Sequence, residues 1–100
     1  METYEVKLTP RALQDLDSIY AYIAQSLMEP DTALKLLSRL EDAIFSLEQL
    51  PQRGALRKTG AYANRSYRQL LIENYIAIYR VDEVHRQVIL LTVQYSHRKF

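Results

Sequence analysis

Residues 66–95 read SYRQLLIENYIAIYRVDEVHRQVILLTVQY and contain three runs rich in β-branched and aromatic residues. The runs cover residues 66–72, 75–81 and 87–95, and their composition is typical of β-strands. Glu73-Asn74 fits a tight hairpin turn in which Asn74 takes a left-handed conformation, and residues 82–86 fit a looser turn. The stretch therefore predicts a meander of three antiparallel strands.

Two amphipathic helices precede the meander. Thr9-Pro10 marks the start of the first, because the threonine oxygen can accept a hydrogen bond from a free amide and proline fits the first helical turn. Pro51 ends the second helix. The short break at residues 28–30 predicts that the two helices form an antiparallel hairpin. Their apolar residues recur at helical spacing: Leu13, Leu16, Ile19, Tyr20, Ile23 and Leu27, then Ala33, Leu37, Leu40, Ile44 and Leu47.

A first strand and one long loop complete the chain. Tyr4, Val6 and Leu8 alternate with polar residues, which predicts a half-buried strand over residues 2–8. Residues 52–64 contain both glycines and show no period, so we expect an irregular basic loop. The predicted fold is one α+β domain over residues 1–100 with the order β-α-α-β-β-β. In it, a helical hairpin packs on a mainly antiparallel four-stranded sheet.

Both faces of this predicted sheet carry apolar side chains. Ile76, Ile78, Ile89, Leu91 and Val93 are expected to leave both faces partly apolar. We expect one face to meet the helices and the other to form a concave surface that binds an outside partner.

The two halves of the chain carry opposite charge. Residues 1–50 contain four bases and nine acids, whereas residues 51–100 contain nine bases and three acids. The segment 51–72 alone holds five bases and no acid. Such a separation favours a surface that binds a polyanion or an acidic partner.

Composition excludes several classes of protein. A chain of 100 residues with 48% hydrophobic and 25% charged residues is typical of a globular domain. The absence of cysteine fits a reducing compartment, so we expect a cytoplasmic protein, and no segment is long enough to span a bilayer. His85 and His97 have no cysteine and no H-x-x-x-H spacing to accompany them, so we expect no metal site and no cofactor.

Several fragments, in order, resemble the RelE/ParE superfamily of bacterial type II toxin–antitoxin toxins, once called plasmid stabilisation proteins. The resemblance covers nearly the whole chain. Its fragments are YEVKLTPRA at 4–12, Asp15-Leu16 with Ile19, Tyr22 and Ile23, ALKLL from residue 33, LPQRG at 50–54, Tyr67-Arg68, Asn74-Tyr75, YRVD at 79–82 and YSHR at 95–98.

The resemblance implies a growth-inhibiting toxin that is neutralised by a cognate antitoxin, with either of two targets. ParE-like toxins poison DNA gyrase and cut nothing, whereas RelE-like toxins cut messenger RNA on the ribosome. In RelE-like enzymes a catalytic arginine stands where this chain has Ile76, and an aliphatic residue there is similar to ParE-like toxins. We therefore expect gyrase as the target, and the antitoxin in the groove between the helical hairpin and the sheet.

A ribosome-dependent, metal-independent mRNA endoribonuclease is the alternative. Attack by a ribose 2′-OH needs a base, an acid and cations that stabilise the transition state. On this alternative His97, Arg98 and Arg68 would be catalytic, because the resemblance matches Arg98 with its neighbour His97 to a C-terminal basic pair and Arg68 to a basic strand position. A non-toxic or degenerate binding module is a second alternative.

The candidate target-binding residues are mostly basic, since arginines beside aromatic rings can hold phosphates and unstacked bases. They are Arg53, Arg57, Lys58, Arg65, Arg68, Arg80, Tyr95 and Lys99, with Tyr62 and Tyr67 as further contact candidates. We expect Tyr20, Tyr75 and Tyr79 to pack in the core and His85 to lie in a surface turn.

Overall fold

The computed structural model describes residues 3–58 and 66–96. The chain forms strand β1, a helical hairpin and then four further strands. The elements are β1 (Glu5–Leu8), α1 (Pro10–Ala21), a π-helical turn (Tyr22–Ser26), α2 (Pro30–Phe45), a 3₁₀ turn (Ser46–Glu48), β2 (Ala55–Leu56), β3 (Arg68–Ile72), β4 (Tyr75–Asp82) and β5 (Gln87–Tyr95). This is the predicted α+β fold with its helical hairpin and its C-terminal meander.

The sheet has five strands in the order β1-β5-β4-β3-β2. β1 pairs with β5 in parallel, and the other neighbours are antiparallel. The sheet has one strand more than the four predicted. This strand is β2, which lies inside the segment expected to be an irregular loop, and its two residues pair with Gln69 and Arg68 of β3. A strand of two residues is too short to show a period of two, so its position depends on pairing with β3 rather than on its own sequence.

The start of α1 is built as predicted. The Thr9 side-chain oxygen accepts a hydrogen bond from the Ala12 amide at 3.1 Å, and Pro10 occupies the first turn. The Thr9 hydroxyl also donates to the Leu91 carbonyl at 2.9 Å, which fixes the helix start against β5. At its other end α1 widens into the π-helical turn, where the Leu27 amide donates to the Tyr22 carbonyl at 3.1 Å.

The turn between β3 and β4 contains the two predicted residues, with a different backbone. Glu73, and not Asn74, has a positive φ of 54°. A left-handed residue at the first turn position gives the twist that a two-residue hairpin needs. The Glu73 carboxylate then accepts a hydrogen bond from Arg39 of α2 at 2.8 Å, which anchors the hairpin tip to the helices.

One face of the sheet packs against the helices and forms the core. Leu40, Ile44 and Leu47 from the second half of the helical hairpin are fully buried against this face. The strands contribute Leu70, Ile72, Ala77, Tyr79, Val88, Leu90 and Val93. Cross-strand partners point to the same side, so the pairs Tyr79–Leu90 and Val81–Val88 define the face that the helices cover.

The opposite face, called here the outer face, carries Leu71, Ile76, Ile78, Arg80 and Ile89. Leu71 and Arg80 are exposed, whereas Ile78 is fully buried. The β4–β5 register shifts between Ile78 and Tyr79, which pair with Thr92 and Leu90, so Leu91 is an extra residue in β5. Such a bulge changes which side chains of β5 reach each face.

Among the described residues, no helix is long and apolar enough to cross a membrane.

Candidate functional site: the groove between the hairpin and the sheet

A groove of about 660 Å³ lies between the end of α1 and the end of the sheet. We call it the hairpin–sheet groove. Its walls are mostly apolar, and the side chains at its mouth are unusually exposed for their type: Tyr22 by 58%, Leu27 by 48% and Tyr95 by 46%. The lining residues are Asp15, Ser18, Ile19, Tyr22, Ile23 and Leu27 from the helical side and Tyr75, Val93, Gln94 and Tyr95 from the strands.

Asp15 joins the two walls of the groove. Its carboxylate accepts hydrogen bonds from the Thr92 hydroxyl and from the Val93 amide, the latter at 3.1 Å. The Gln94 side-chain amide donates in turn to the Thr92 oxygen at 2.9 Å. Thr92 and Gln94 are buried, so these bonds satisfy polar groups that water cannot reach. They hold α1 at a fixed distance from β5 and so keep the groove in shape.

Three tyrosines line one end of the groove, Tyr75 and Tyr95 from the strands and Tyr22 from the helical side. The rings of Tyr75 and Tyr95 meet edge to face, with centroids 5.7 Å apart and planes at 69°. Burial raises the pKa of Tyr75 above its ordinary value, and the neighbouring phenols of Tyr95 and Tyr22 raise it further. Tyr75 was expected in the core and is only partly buried, whereas Tyr95, a predicted contact residue, does reach the surface.

A second polar cluster surrounds Gly54, the last residue of the LPQRG fragment. The Gly54 amide donates to the Tyr79 hydroxyl oxygen at 2.8 Å, and Arg68 donates to the Gly54 carbonyl at 2.7 Å. Burial raises the pKa of Tyr79, although the bond from the Gly54 amide and the nearby guanidinium groups partly offset this. A Cβ at Gly54 would lie 2.5 Å from the Gln69 carbonyl oxygen, so only glycine fits.

The predicted basic residues lie on more than one side of the molecule. Arg68 pairs with Tyr79 and therefore lies on the face of the sheet that carries the core, whereas Arg80 follows Tyr79 and points to the outer face. Arg57 donates to the Gln69 side chain at 2.7 Å, and Gln69 pairs with Ile78 of the outer face. The structure thus brings Arg57 and Arg80 to one face and leaves Arg68 on the other.

The remaining candidates divide into two groups. Arg53 donates to the Ser46 hydroxyl oxygen at 2.8 Å, and Lys58 is exposed beside β2. Tyr67 is partly buried just before β3, and the other candidates fall outside the described residues. They are Tyr62, Arg65, His97, Arg98 and Lys99.

His85 lies in the exposed turn between β4 and β5, as predicted. Its Nδ1 atom is 2.9 Å from the Asp82 carboxylate, and its amide donates to the same group at 3.2 Å. These bonds from His85 lower the pKa of Asp82. Within residues 3–58 and 66–96, no group of three or more histidine, aspartate or glutamate side chains is placed to hold a metal ion.

Sequence reasoning did not identify the residues that shape the groove. Asp15 was named as part of a fragment shared with the superfamily, and Thr92 and Gln94 were not singled out. The sequence contained one signal for the role of Asp15, which is the Asp15-Leu16 fragment. An acid directly before a buried helical leucine can itself turn toward the sheet. Its bonds to Thr92 and Val93 span 77 and 78 residues of sequence, so periodicity alone could not pair them.

Known proteins resemble the chain at the level of family and of fold. The model of the ParE toxin of the type II toxin–antitoxin system parDE matches residues 6–100. A chain of the chromosomal ParDE system from P. aeruginosa is 26% identical, with a TM-score of 0.76 and coverage of 93% of this chain and 96% of that one.

Two more distant structures share the fold. A chain of a RelBE toxin–antitoxin complex from Mycobacterium tuberculosis is 22% identical, with a TM-score of 0.68 and coverage of 93% and 98%. A chain of the intact E. coli RelBE complex is 14% identical, with a TM-score of 0.63 and coverage of 95% and 99%. No curated protein sequence matches the chain significantly. From the family match over residues 6–100, the chain belongs to the ParE toxin family of type II toxin–antitoxin systems, within the RelE/ParE superfamily.

Proposed function

We propose that this toxin is held inactive by a cognate antitoxin that binds in the hairpin–sheet groove. The observation that carries the proposal is the groove itself, an apolar depression of about 660 Å³ whose mouth exposes Tyr22, Leu27 and Tyr95. An amphipathic helix or an extended strand of the partner would bury these side chains, as in other helix-in-groove complexes. Aromatic side chains in such pockets carry much of the binding energy of protein interfaces.

The test is co-expression of the toxin with the protein encoded by the neighbouring small gene. We expect a stable complex with the unaltered toxin and none with Tyr22→Glu, because the substitution brings a charge to the apolar mouth of the groove. Val84→Glu is the matched control: Val84 is 86% exposed in the turn between β4 and β5, away from the groove. Failure of the unaltered toxin to co-purify with that protein would refute the proposal.

We propose DNA gyrase as the target. Support comes from the surroundings of Ile76, the position at which RelE-like enzymes carry a catalytic arginine. Its cross-strand neighbours are Leu71 and Gln94. None of these three side chains can transfer a proton near neutral pH or neutralise a phosphate, which cleavage of RNA would require. Arg68 is turned to the other face and bonded to Gly54, so it does not replace the missing cation there.

Pulse labelling of DNA and protein synthesis after induction separates the candidate targets. Poisoning of gyrase predicts that DNA synthesis falls first and that gyrase-dependent breaks accumulate while ribosome-bound messages stay intact. An early fall in protein synthesis with cleaved messages would instead establish the endoribonuclease, and unchanged growth would establish a non-toxic binding module. Gyrase and the ribosome are both cytoplasmic, so we propose that the toxin acts in the cytoplasm.

A further inference from the structure

A second, smaller cavity continues the hairpin–sheet groove. It has a volume of about 230 Å³ and lies between α2 and the tip of the β3–β4 hairpin. Tyr75 lines both cavities, so they are neighbours on the surface. A partner segment seated in the groove could therefore extend past Tyr75 to the second cavity.

The two cavities differ in charge. The charged residue lining the described part of the groove is Asp15, and its carboxylate is already bonded to Thr92 and Val93. The second cavity is lined by two cations, Lys35 and Arg39, and one acid, Glu73. Lys35 and Arg39 are four residues apart on α2, so their side chains project from the same side of the helix with Cβ atoms about 6 Å apart.

Arg39 keeps binding capacity despite its bond to Glu73. The two side chains are 65% and 44% exposed, so their ion pair is weak and open to competition. A guanidinium group has five N–H donors, and the 2.8 Å bond to Glu73 is made through one terminal nitrogen. The other donors, with the ammonium group of Lys35, can receive a second carboxylate in a charge-assisted contact.

We propose that the antitoxin segment that fills the groove also carries an aspartate or glutamate side chain, which binds Lys35 and Arg39 beyond Tyr75. This inference rests on the proposed function of the groove and adds the chemistry of its occupant. The apolar part of the segment supplies affinity in the groove. Its carboxylate fixes the position of the segment along α2, because opposite charges set the register of an interface.

Charge reversal at Lys35 tests the carboxylate contact. We expect Lys35→Glu to weaken binding of the antitoxin by about tenfold in low salt, measured by calorimetry, because an attraction becomes a repulsion. The loss should shrink in high salt, since exposed charges are screened. Lys7→Glu is the matched control: Lys7 is an exposed lysine on the edge strand β1 and lines neither cavity, so this variant should bind as tightly as the unaltered toxin.

A neutralised pair tests the role of Arg39 without changing the net charge. Arg39→Gln combined with Glu73→Gln removes one base and one acid and keeps two side chains able to share a hydrogen bond. We expect several-fold weaker binding of the antitoxin with a melting temperature close to that of the unaltered toxin. A melting temperature that falls sharply would assign the pair to folding and would count against its role in recognition.

A reciprocal substitution identifies the partner group. In the Lys35→Glu background, each aspartate and glutamate of the antitoxin is changed to lysine in turn, and one change should restore most of the lost affinity. If the unaltered toxin binds the antitoxin, Tyr22→Glu abolishes binding and Lys35→Glu binds normally, the carboxylate contact is refuted while the groove proposal stands. If the unaltered toxin does not bind at all, it is the proposed function that fails.

Discussion

At the scale of single residues, Gly54 connects parts of the chain that are distant in sequence. Its amide binds the Tyr79 hydroxyl and its carbonyl binds Arg68, so one residue without a side chain links the segment after α2 to both β3 and β4. The space that a Cβ would need is occupied by the Gln69 carbonyl and the Tyr79 ring. Arg68, a candidate for phosphate binding, therefore also helps to stabilise the fold.

Gly54→Ala should destabilise the protein by about 1–3 kcal/mol, because the added methyl group forces backbone or ring to move. The measurement is urea unfolding followed by circular dichroism. Lys58→Ala, at an exposed position four residues along the chain, should leave the unfolding free energy within about 0.5 kcal/mol of the original. Equal stability of the two variants would contradict the crowding described at Gly54.

Tyr79 makes the free energy of unfolding depend on pH in the alkaline range. Its pKa is raised in the folded state above the ordinary value of 10.0, because burial disfavours the phenolate. Above about pH 10 the unfolded chain loses this proton while the folded chain keeps it, so the free energy of unfolding falls as pH rises. Below pH 10 this contribution is fully present.

The expected result is a decline in stability above pH 10 that is shallower in Tyr79→Phe, measured by urea unfolding at a series of pH values. Tyr75, whose pKa is also raised, contributes to the same decline, so Tyr75→Phe is the comparison variant. At neutral pH Tyr79→Phe should itself cost about 1–3 kcal/mol, because the Gly54 amide loses its acceptor in a buried place. If the free energy of unfolding fell equally steeply with pH in the unaltered protein, in Tyr79→Phe and in Tyr75→Phe, the pH dependence could not be assigned to these tyrosines.

At the scale of elements, the sequence predicted those with strong local signals. Thr9-Pro10 located the start of α1, the apolar periods located both helices, and runs of β-branched and aromatic residues located the three long strands. β2, the bulge at Leu91 and the left-handed Glu73 were not predicted, because each depends on pairing with another strand or on an anchor such as Arg39. The reason is physical: a two-residue strand and a one-residue insertion have no period of their own.

The contact of α1 with β5 should depend on the charge of Asp15. Asp15→Asn should cost about 1–3 kcal/mol, because a neutral amide is a weaker acceptor for the Thr92 hydroxyl and the Val93 amide. Asp17→Asn is the matched control, two residues along the same helix and exposed. Urea unfolding measures both, and a loss of equal size in both variants would assign the effect to the charge of the helix rather than to the contact.

At the scale of the whole molecule, the candidate site was harder to predict than the fold. The count of bases in the second half indicated a cationic surface, but the face on which each base lies follows from strand register. Arg68 and Arg80 point to opposite faces because hairpin pairing sets Arg68 opposite Tyr79, one residue before Arg80. The groove arises where the end of α1 meets the end of the sheet, and no contiguous piece of sequence contains both walls.

The exposed apolar groove should make the free toxin bind hydrophobic dyes. We expect the fluorescence of anilinonaphthalene sulfonate to rise with the isolated toxin and to fall when the antitoxin is added, because both compete for the same surface. Tyr22→Ser combined with Leu27→Ser should lower the signal. Val84→Ser removes an even more exposed apolar side chain away from the groove and should leave the signal unchanged. A signal unchanged by the groove variant would place the dye at another surface.

The π-helical turn at Tyr22–Ser26 amounts to one amino acid more than an ordinary α-helix would need to cover the same length. Excision of a single codon there would let regular winding resume while the helix before the turn kept its orientation, because a π-helical turn takes up one extra residue without rotating its flanks. Tyr22 and Ile23, which lie in this turn and line the depression, would then change position while the upstream anchor at Asp15 stayed in place. A one-residue deletion would therefore be expected to reshape this wall without altering any side chain outside the turn.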